Sequence, residues 1–189
     1  NRYARGYWGL WDKLIDRYPD MMIDDCAAGG GRNDIDSMRR AVPLHKTDHD
    51  YSRQDDKQSM HQSLFGWLPY FGACMVGPDK CGEVNPYMIQ STYAPWVALC
   101  ANVYAEGYDW DCLRRYTQLW QELNPYYTAD YYPLTAWSRG DKAWRGWEFF
   151  DPKTESGFIQ FFRPANAAEE RRAVRLKGLC EGAVYELWD

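Results

Sequence analysis

Between Asp24 and Asp50 the sequence gathers side chains that can move protons and backbone that can sit close to a ligand. The residues are Asp24-Asp25-Cys26, the run Gly29-Gly30-Gly31-Arg32-Asn33-Asp34, and Thr47-Asp48-His49-Asp50. A carboxyl group can protonate a departing oxygen or accept a proton from water, and a thiol can attack or simply pack. Consecutive glycines let backbone amides approach a bound group with no side chain in the way. Asp48 is the leading catalytic candidate; its ordinary alternative is to cap the segment that follows it.

Other chemistries fit the same stretch less well. The triple glycine suggests a phosphate loop, but the Gly-x-x-x-x-Gly-Lys-Ser/Thr pattern is absent. His45, His49 and Asp50 beside Asp48 suggest a metal, yet neighbouring residues of an extended segment point to opposite faces, so His45 and Asp48 are not expected to converge. Arg32 and Asp34 could form a supporting ion pair or cap, or contact a ligand directly. His61 falls in mid-helix and reads as a satisfied structural histidine. Trp67, Trp96 and Tyr93 could stack on a sugar ring, and core packing explains them equally well.

The elements that must position these groups follow from hydrophobic spacing. Met21-Met22-Ile23 ends in Asp24-Asp25 and predicts a buried parallel strand over 21–25. Ile35, Met38, Val42 and Leu44 continue through a helix around 34–40 into a second strand over 42–46. In a parallel sheet or barrel both polar strand ends fall on one rim, where sites are built. Upstream, Tyr3, Tyr7, Leu10, Trp11, Leu14, Ile15 and Tyr18 recur at helical spacing, and Pro19 stops that helix. Beyond Asp48 a polar stretch over 50–57 leads to a helix through Met60, Leu64 and Trp67. Apolar strands follow over 70–76 and 96–103, with a long Gly-Pro loop over 77–82 between them. Asp109 predicts the N-cap of a helix carrying Leu113, Tyr116, Leu119, Trp120 and Leu123. Strand and helix alternate, the α/β signature.

The pattern changes near Asn124-Pro125. Residues 147–150 and 157–162 predict a β-hairpin across Asp151-Pro152-Lys153-Thr154-Glu155-Ser156, with further strands over 174–179 and 183–188. The expected organisation is an α/β unit over 1–129 followed by an incomplete antiparallel β domain over 130–189, with the boundary between Tyr127 and Thr135.

Asp-Asp-Cys-Ala-Ala-Gly-Gly-Gly-Arg-Asn-Asp, then Met-Arg-Arg-Ala-Val-Pro, then Thr-Asp resembles the melibiase-type α-galactosidases of glycoside hydrolase family 36. That resemblance is strongest from Ile23 to Asp48 and looser from Tyr131 onward. It implies the second half of a (β/α)8 TIM barrel, then part of an antiparallel β-sandwich domain. It makes Asp48 the general acid/base of a retaining hydrolase of terminal α-galactosides, with Thr47 where the family has Ser. Cys26 and Gly29 match positions that line the galactose pocket, and Arg32 joins them as a substrate-binding candidate. Lys46-Thr47-Asp48 also has the Lys-x-Asp form of the family's nucleophile, but the spacing from Cys26 and the Arg-Arg-Ala-Val-Pro lead-in assign it to the acid/base. No Lys-x-Asp precedes Cys26, so the resemblance implies a nucleophile outside this sequence and a chain inactive alone. It calls for no cofactor and no metal. A half barrel exposes strand edges and an apolar face, so self-association into a homo-oligomer is one expectation. The alternative is a non-catalytic carbohydrate-binding or oligomer-forming remnant of a glycosidase.

Bulk properties bound this reading. A formal net charge of -5 over 189 residues gives no basic footprint, which argues against nucleic acid and anionic membrane as partners. The aromatic content, 17% with 10 Trp, suits a sugar site or a core of large residues. No apolar run approaches the ~20 residues of a membrane span, and residues 1–25 lack a signal-peptide pattern. Asn1 is not an initiator methionine, so an upstream segment stays open. Cys26, Cys74, Cys81, Cys100, Cys112 and Cys180 form no Cys-x-x-Cys pair. Cys26 is expected unpaired, Cys100 reads as a small buried hydrophobe, and Cys74 with Cys81 is the only plausible disulfide. The set reads as mostly reduced and the protein as cytoplasmic.

Overall fold

A computed structural model describes residues 1–51, 53–75, 84–100 and 102–188. Helix α1 (Arg2–Arg17) is capped by Asn1, whose side chain accepts from the Tyr3 amide. Its one buried residue is Trp11, against which Tyr7 packs at 4.6 Å between ring centroids. Pro19 ends it as the sequence predicts. Asp12 on α1 pairs with Arg40 at 2.6 Å and ties the helix to the segment after the glycine run.

Four extended segments then lie side by side in chain order. Asp24 bridges Val42 in parallel, with Asp25 N–H donating to Val42 O and Val42 N–H to Ile23 O, both at 2.9 Å. Gly72 N–H reaches Pro43 O at 3.0 Å. Strand β1 (Gly72–Met75) pairs in parallel with β2 (Trp96–Leu99), Gly72 opposite Trp96. The strands expected over 21–25 and 42–46 are therefore reduced to a single bridge. Pro43 has no N–H to offer a ladder. Past it, Lys46 Nζ takes Gly72 O at 3.0 Å, and Leu44 N–H turns to Asp24 Oδ1 at 3.2 Å. Met22, expected buried, is 57% exposed.

Between these segments run α2 (Ile35–Met38), capped by Asp34, a 3-10 turn (Asp48–Tyr51), α3 (Gln54–Leu64), α4 (Pro86–Gln90) and α5 (Trp110–Leu123). Asp109 caps α5 as predicted, accepting from Cys112 N–H at 2.9 Å. Helix α3 starts inside the stretch expected to be polar loop, and it buries Lys57 and Gln58. Lys57 is accommodated because Nζ donates to Cys74 O and Thr92 Oγ1, both at 3.1 Å. Strand β2 is half-exposed rather than buried, and Leu99 lies 42% open. Cys100 is likewise half-buried. The loop over 77–82, with Cys81 and its proposed pairing, lies outside the described residues.

An antiparallel sheet follows: β3 (Asp130–Pro133), β4 (Arg145–Asp151) and β5 (Ser156–Phe162), in that order. The predicted hairpin is β4–β5, turning through Glu155 at φ 52°. One aromatic core joins this sheet to the preceding helices. Phe65 at the end of α3 lies 5.0–5.7 Å from the rings of Phe71, Tyr127, Tyr131, Trp147 and Phe149. The strands expected over 174–179 and 183–188 do not form. Glu148 takes the Lys177 and Gly178 amides at 2.8 and 3.1 Å, engaging groups a ladder would use. Val184, Leu187 and Trp188 stand 76–98% exposed, with no sheet beneath them. Among the described residues no helix is long and apolar enough to cross a membrane.

Candidate functional site

The bridge between Asp24 and Val42 brings the two polar strand ends together. Thr47 Oγ1 accepts the His49 amide at 3.2 Å and starts the 3-10 turn that lifts Asp48 off the extended segment. The expectation for His45 is overturned: its Nε2 lies 3.1 Å from Asp48 Oδ1, because the backbone bends at Leu44 and His45 instead of continuing extended to Asp48. The other ring nitrogen, Nδ1, is 3.2 Å from Cys74 Sγ on β1.

The glycine run meets the same carboxylate. Gly29 has φ +61° and Gly30 φ +99°, so the chain folds tightly back on itself. A methyl group on Gly29 would land 2.6 Å from Asp48 Cγ, and one on Gly30 2.5 Å from Lys46 O. Asn33 Nδ2 donates to that same Lys46 carbonyl at 2.9 Å, holding the loop against the segment that carries Asp48. At Gly30, where the obstacle is backbone, glycine is required by contact as well as by φ.

Cys26 carries no disulfide, as expected. Desolvation, followed by the charges of Asp24 and Asp48, pushes its thiol up, which keeps it protonated and suits packing rather than attack. Arg32 does not pair with Asp34. Its guanidinium lies 5.0 Å over the Tyr7 ring, and Nη1 donates to Cys26 O at 3.3 Å. Asp34 instead caps α2, accepting from Ser37 N–H and Oγ at 3.0 and 2.9 Å, and the Ser37 amide holds its carboxyl low. Asp25 is fully buried, and neither of its oxygens has a hydrogen-bond partner; burial pushes its carboxyl up. Sequence reasoning missed that burial, since adjacent acids at a strand end look alike until the bridge to Val42 turns one inward.

Asp48 itself is not desolvated. Its side chain is 70% exposed. A cleft of about 360 Å³ opens beside it, with Asn33, Lys46, His49, Asp56, Trp137 and Arg139 among its walls, but Asp48 is not one of them. Trp137 had no periodic signal to mark it. Its Nε1–H is anchored on Ser59 O at 2.9 Å while the residue stays 59% exposed. Tyr93 is excluded as a stacking platform, being buried with its hydroxyl on Tyr116 O. Trp96 is half-buried on β2, and Trp67 is exposed beyond α3. Buried His61 differs from expectation in having Nε2 without a partner. Among the described residues no group of His, Cys, Asp or Glu is arranged to hold a metal ion.

Comparison with known proteins bears on this geometry. No protein-family profile matches the chain. The α-galactosidase Mel36A of Lactobacillus acidophilus is 49% identical over 98 residues, which is 51% of this chain and 13% of that protein. The chain is related in sequence to an α-galactosidase. A solved double variant of the family 36 α-galactosidase AgaA from Geobacillus stearothermophilus, in complex with stachyose, matches with a TM-score of 0.72 at 18% identity. That likeness covers 95% of this chain and 26% of the other, and it extends the common fold across the mixed α/β part and the antiparallel sheet. The resemblance to glycoside hydrolase family 36 therefore holds in sequence over half the chain and in fold over nearly all of it. In both comparisons the chain spans only a small part of its relative.

Proposed function

We propose that this chain is the part of a retaining hydrolase of terminal α-galactosides that carries the general acid/base, Asp48. The observation that carries the reading is the meeting of Asp48 with Gly29, which unites the two stretches of the family resemblance at one point. The substrate class is drawn from the relatives' names as α-galactosidases. On this reading residues 1–129 are the second half of a (β/α)8 barrel, with the four side-by-side segments as its strands. Residues 130–189 belong to an incomplete antiparallel β domain packed on it through the aromatic core.

Asp48 protonates the glycosidic oxygen as the bond to the anomeric carbon breaks. A carboxylate nucleophile outside these residues attacks from ~5–5.5 Å away, the spacing of a retaining pair. Cys26 packs protonated against the sugar, and Gly29 brings its backbone close to it. Arg32 braces the loop through the Cys26 carbonyl. The exposure of Asp48 fits a site whose other wall comes from the rest of the barrel or from a second copy in a homo-oligomer.

A second reading, a non-catalytic carbohydrate-binding remnant, is favoured by that same exposure. Asp48→Ala in the complete enzyme separates the two. Loss of turnover on substrates with poor leaving groups, with activated aryl galactosides largely spared, is expected of an acid. Equal loss on both, or none on either, would sink the acid role; sugar binding without turnover in the unaltered protein favours the second reading.

A further inference from the structure

We propose that His45 is a positioning residue that fixes the acid proton of Asp48 on Oδ2. The inference rests on the reading of Asp48 as the general acid. Its observation is a line of three side chains, His45 and Asp48 from one segment and Cys74 from β1. Cys74 on β1 reaches His45 Nδ1 at 3.2 Å, and His45 Nε2 reaches Asp48 Oδ1 at 3.1 Å.

The direction of these hydrogen bonds depends on the ring tautomer, which we assign with the thiol as donor. A neutral imidazole has one N–H and one acceptor nitrogen, and a thiol has a single hydrogen to give. With Cys74 Sγ–H donating to Nδ1, the ring proton resides on Nε2, and Nε2–H donates to Asp48 Oδ1. An oxygen already accepting that bond is the poorer place for the acid's own proton, which is left to Oδ2. Oδ2 is the oxygen that a Cβ on Gly29 would strike first, so it faces the glycine loop where the sugar is proposed to sit.

The proton transfer closes consistently. The Oδ2–H bond breaks, a new O–H bond forms on the glycosidic oxygen, and the electron pair of the anomeric C–O bond leaves with that oxygen. Asp48 becomes a carboxylate whose charge appears during the step, and the hydrogen bond from Nε2–H strengthens as it does. Asp48 is 70% exposed, and this bond restrains its rotamer from the side of His45. The side chain of His45 itself is 16% exposed, held between the strand layer and the turn.

The test has two arms. In the first, 15N NMR of the 189-residue chain labelled at its three histidines reads the tautomer directly. His45 is expected as the neutral Nε2–H form with Nδ1 accepting, and Cys74→Ala is expected to shift the Nδ1 resonance. An Nδ1–H tautomer, or no response to Cys74→Ala, overturns the proposal. In the second arm, the complete enzyme carries His45→Gln, His45→Asn or His45→Leu. Gln places an N–H near the position of Nε2, whereas Asn places one near Nδ1. His45→Gln is expected to keep kcat on poor leaving groups within about threefold, with Asn and Leu losing tenfold or more and KM little changed in all three. Equal losses in the three variants, or losses confined to KM, overturn the proposal while leaving Asp48 as the acid. If Asp48→Ala loses nothing on poor leaving groups, the acid reading fails and this proposal falls with it.

Discussion

Substitution at Gly29 and Gly30 separates the roles of two neighbouring glycines. Both have positive φ, +61° and +99°, so an L side chain is strained at either. At Gly29 the left-handed conformation costs about 1–2 kcal/mol for alanine, partly offset by about 0.4–1 kcal/mol from a less flexible unfolded chain. Ala28 next door already has φ +48°, so the loop admits this conformation. The new methyl would overlap the Asp48 carboxylate, the exposed end of a side chain that can swing away. Gly29→Ala is therefore expected to lose only about 1 kcal/mol, or a few degrees in Tm for a chain of this size. Its chemical effect is larger, because Asp48 must leave its bond to His45, and an ångström of misplacement costs about 10²-fold in rate. At Gly30 the obstacle is Lys46 O at 2.5 Å, a backbone atom already accepting from Asn33. With a φ that alanine scarcely populates, Gly30→Ala is expected to lose about 3 kcal/mol or more. Urea unfolding of both variants gives the stability order, and 15N NMR of His45 reports whether Asp48 has moved. The reasoning is refuted if Gly29→Ala is the less stable of the two, or if it leaves the His45 resonances unchanged.

Phe65→Ala opens a hole where five aromatic rings converge and should cost about 3–5 kcal/mol by chemical denaturation; a loss under 1 kcal/mol would mean that this core is not the main cohesion between the sheet and α3. Burial first, then the charges of Lys46 and Lys57, hold the His61 imidazole well below its ordinary value, so it stays neutral in the folded state. Below about pH 6.5 the unfolded chain binds a proton that the folded chain refuses, so stability falls with falling pH, by up to about 1.4 kcal/mol per pH unit. Unfolding curves from pH 7.5 to 5.5 should show this slope, and His61→Phe should flatten it; a slope unchanged by the substitution refutes the assignment.

The sequence by itself determined the local elements and the residues worth testing. Helical spacing with a stop at Pro19 fixed α1, Asp109 marked the start of α5, and the turn residues after Asp151 marked the β4–β5 hairpin. These are legible because caps, turns and amphipathic faces depend on neighbours within a few residues. The motif from Cys26 to Asp48 likewise carried the relation to the α-galactosidases before any coordinates. What pairing, burial and orientation required lay beyond it. Strand periodicity does not reveal that Pro43 and Lys46 would break the ladder beside Gly72, nor that Glu148 would take the amides of Lys177 and Gly178. The alternation rule placed His45 and Asp48 apart, and only the bend of the backbone at Leu44 and His45 brought them within 3.1 Å. The line from Cys74 through His45 to Asp48 brings Cys74, 29 positions along the chain, against His45, so only the tertiary structure could assemble it. The same holds for Asp25, whose burial follows from the bridge to Val42 and from nothing in its own neighbourhood.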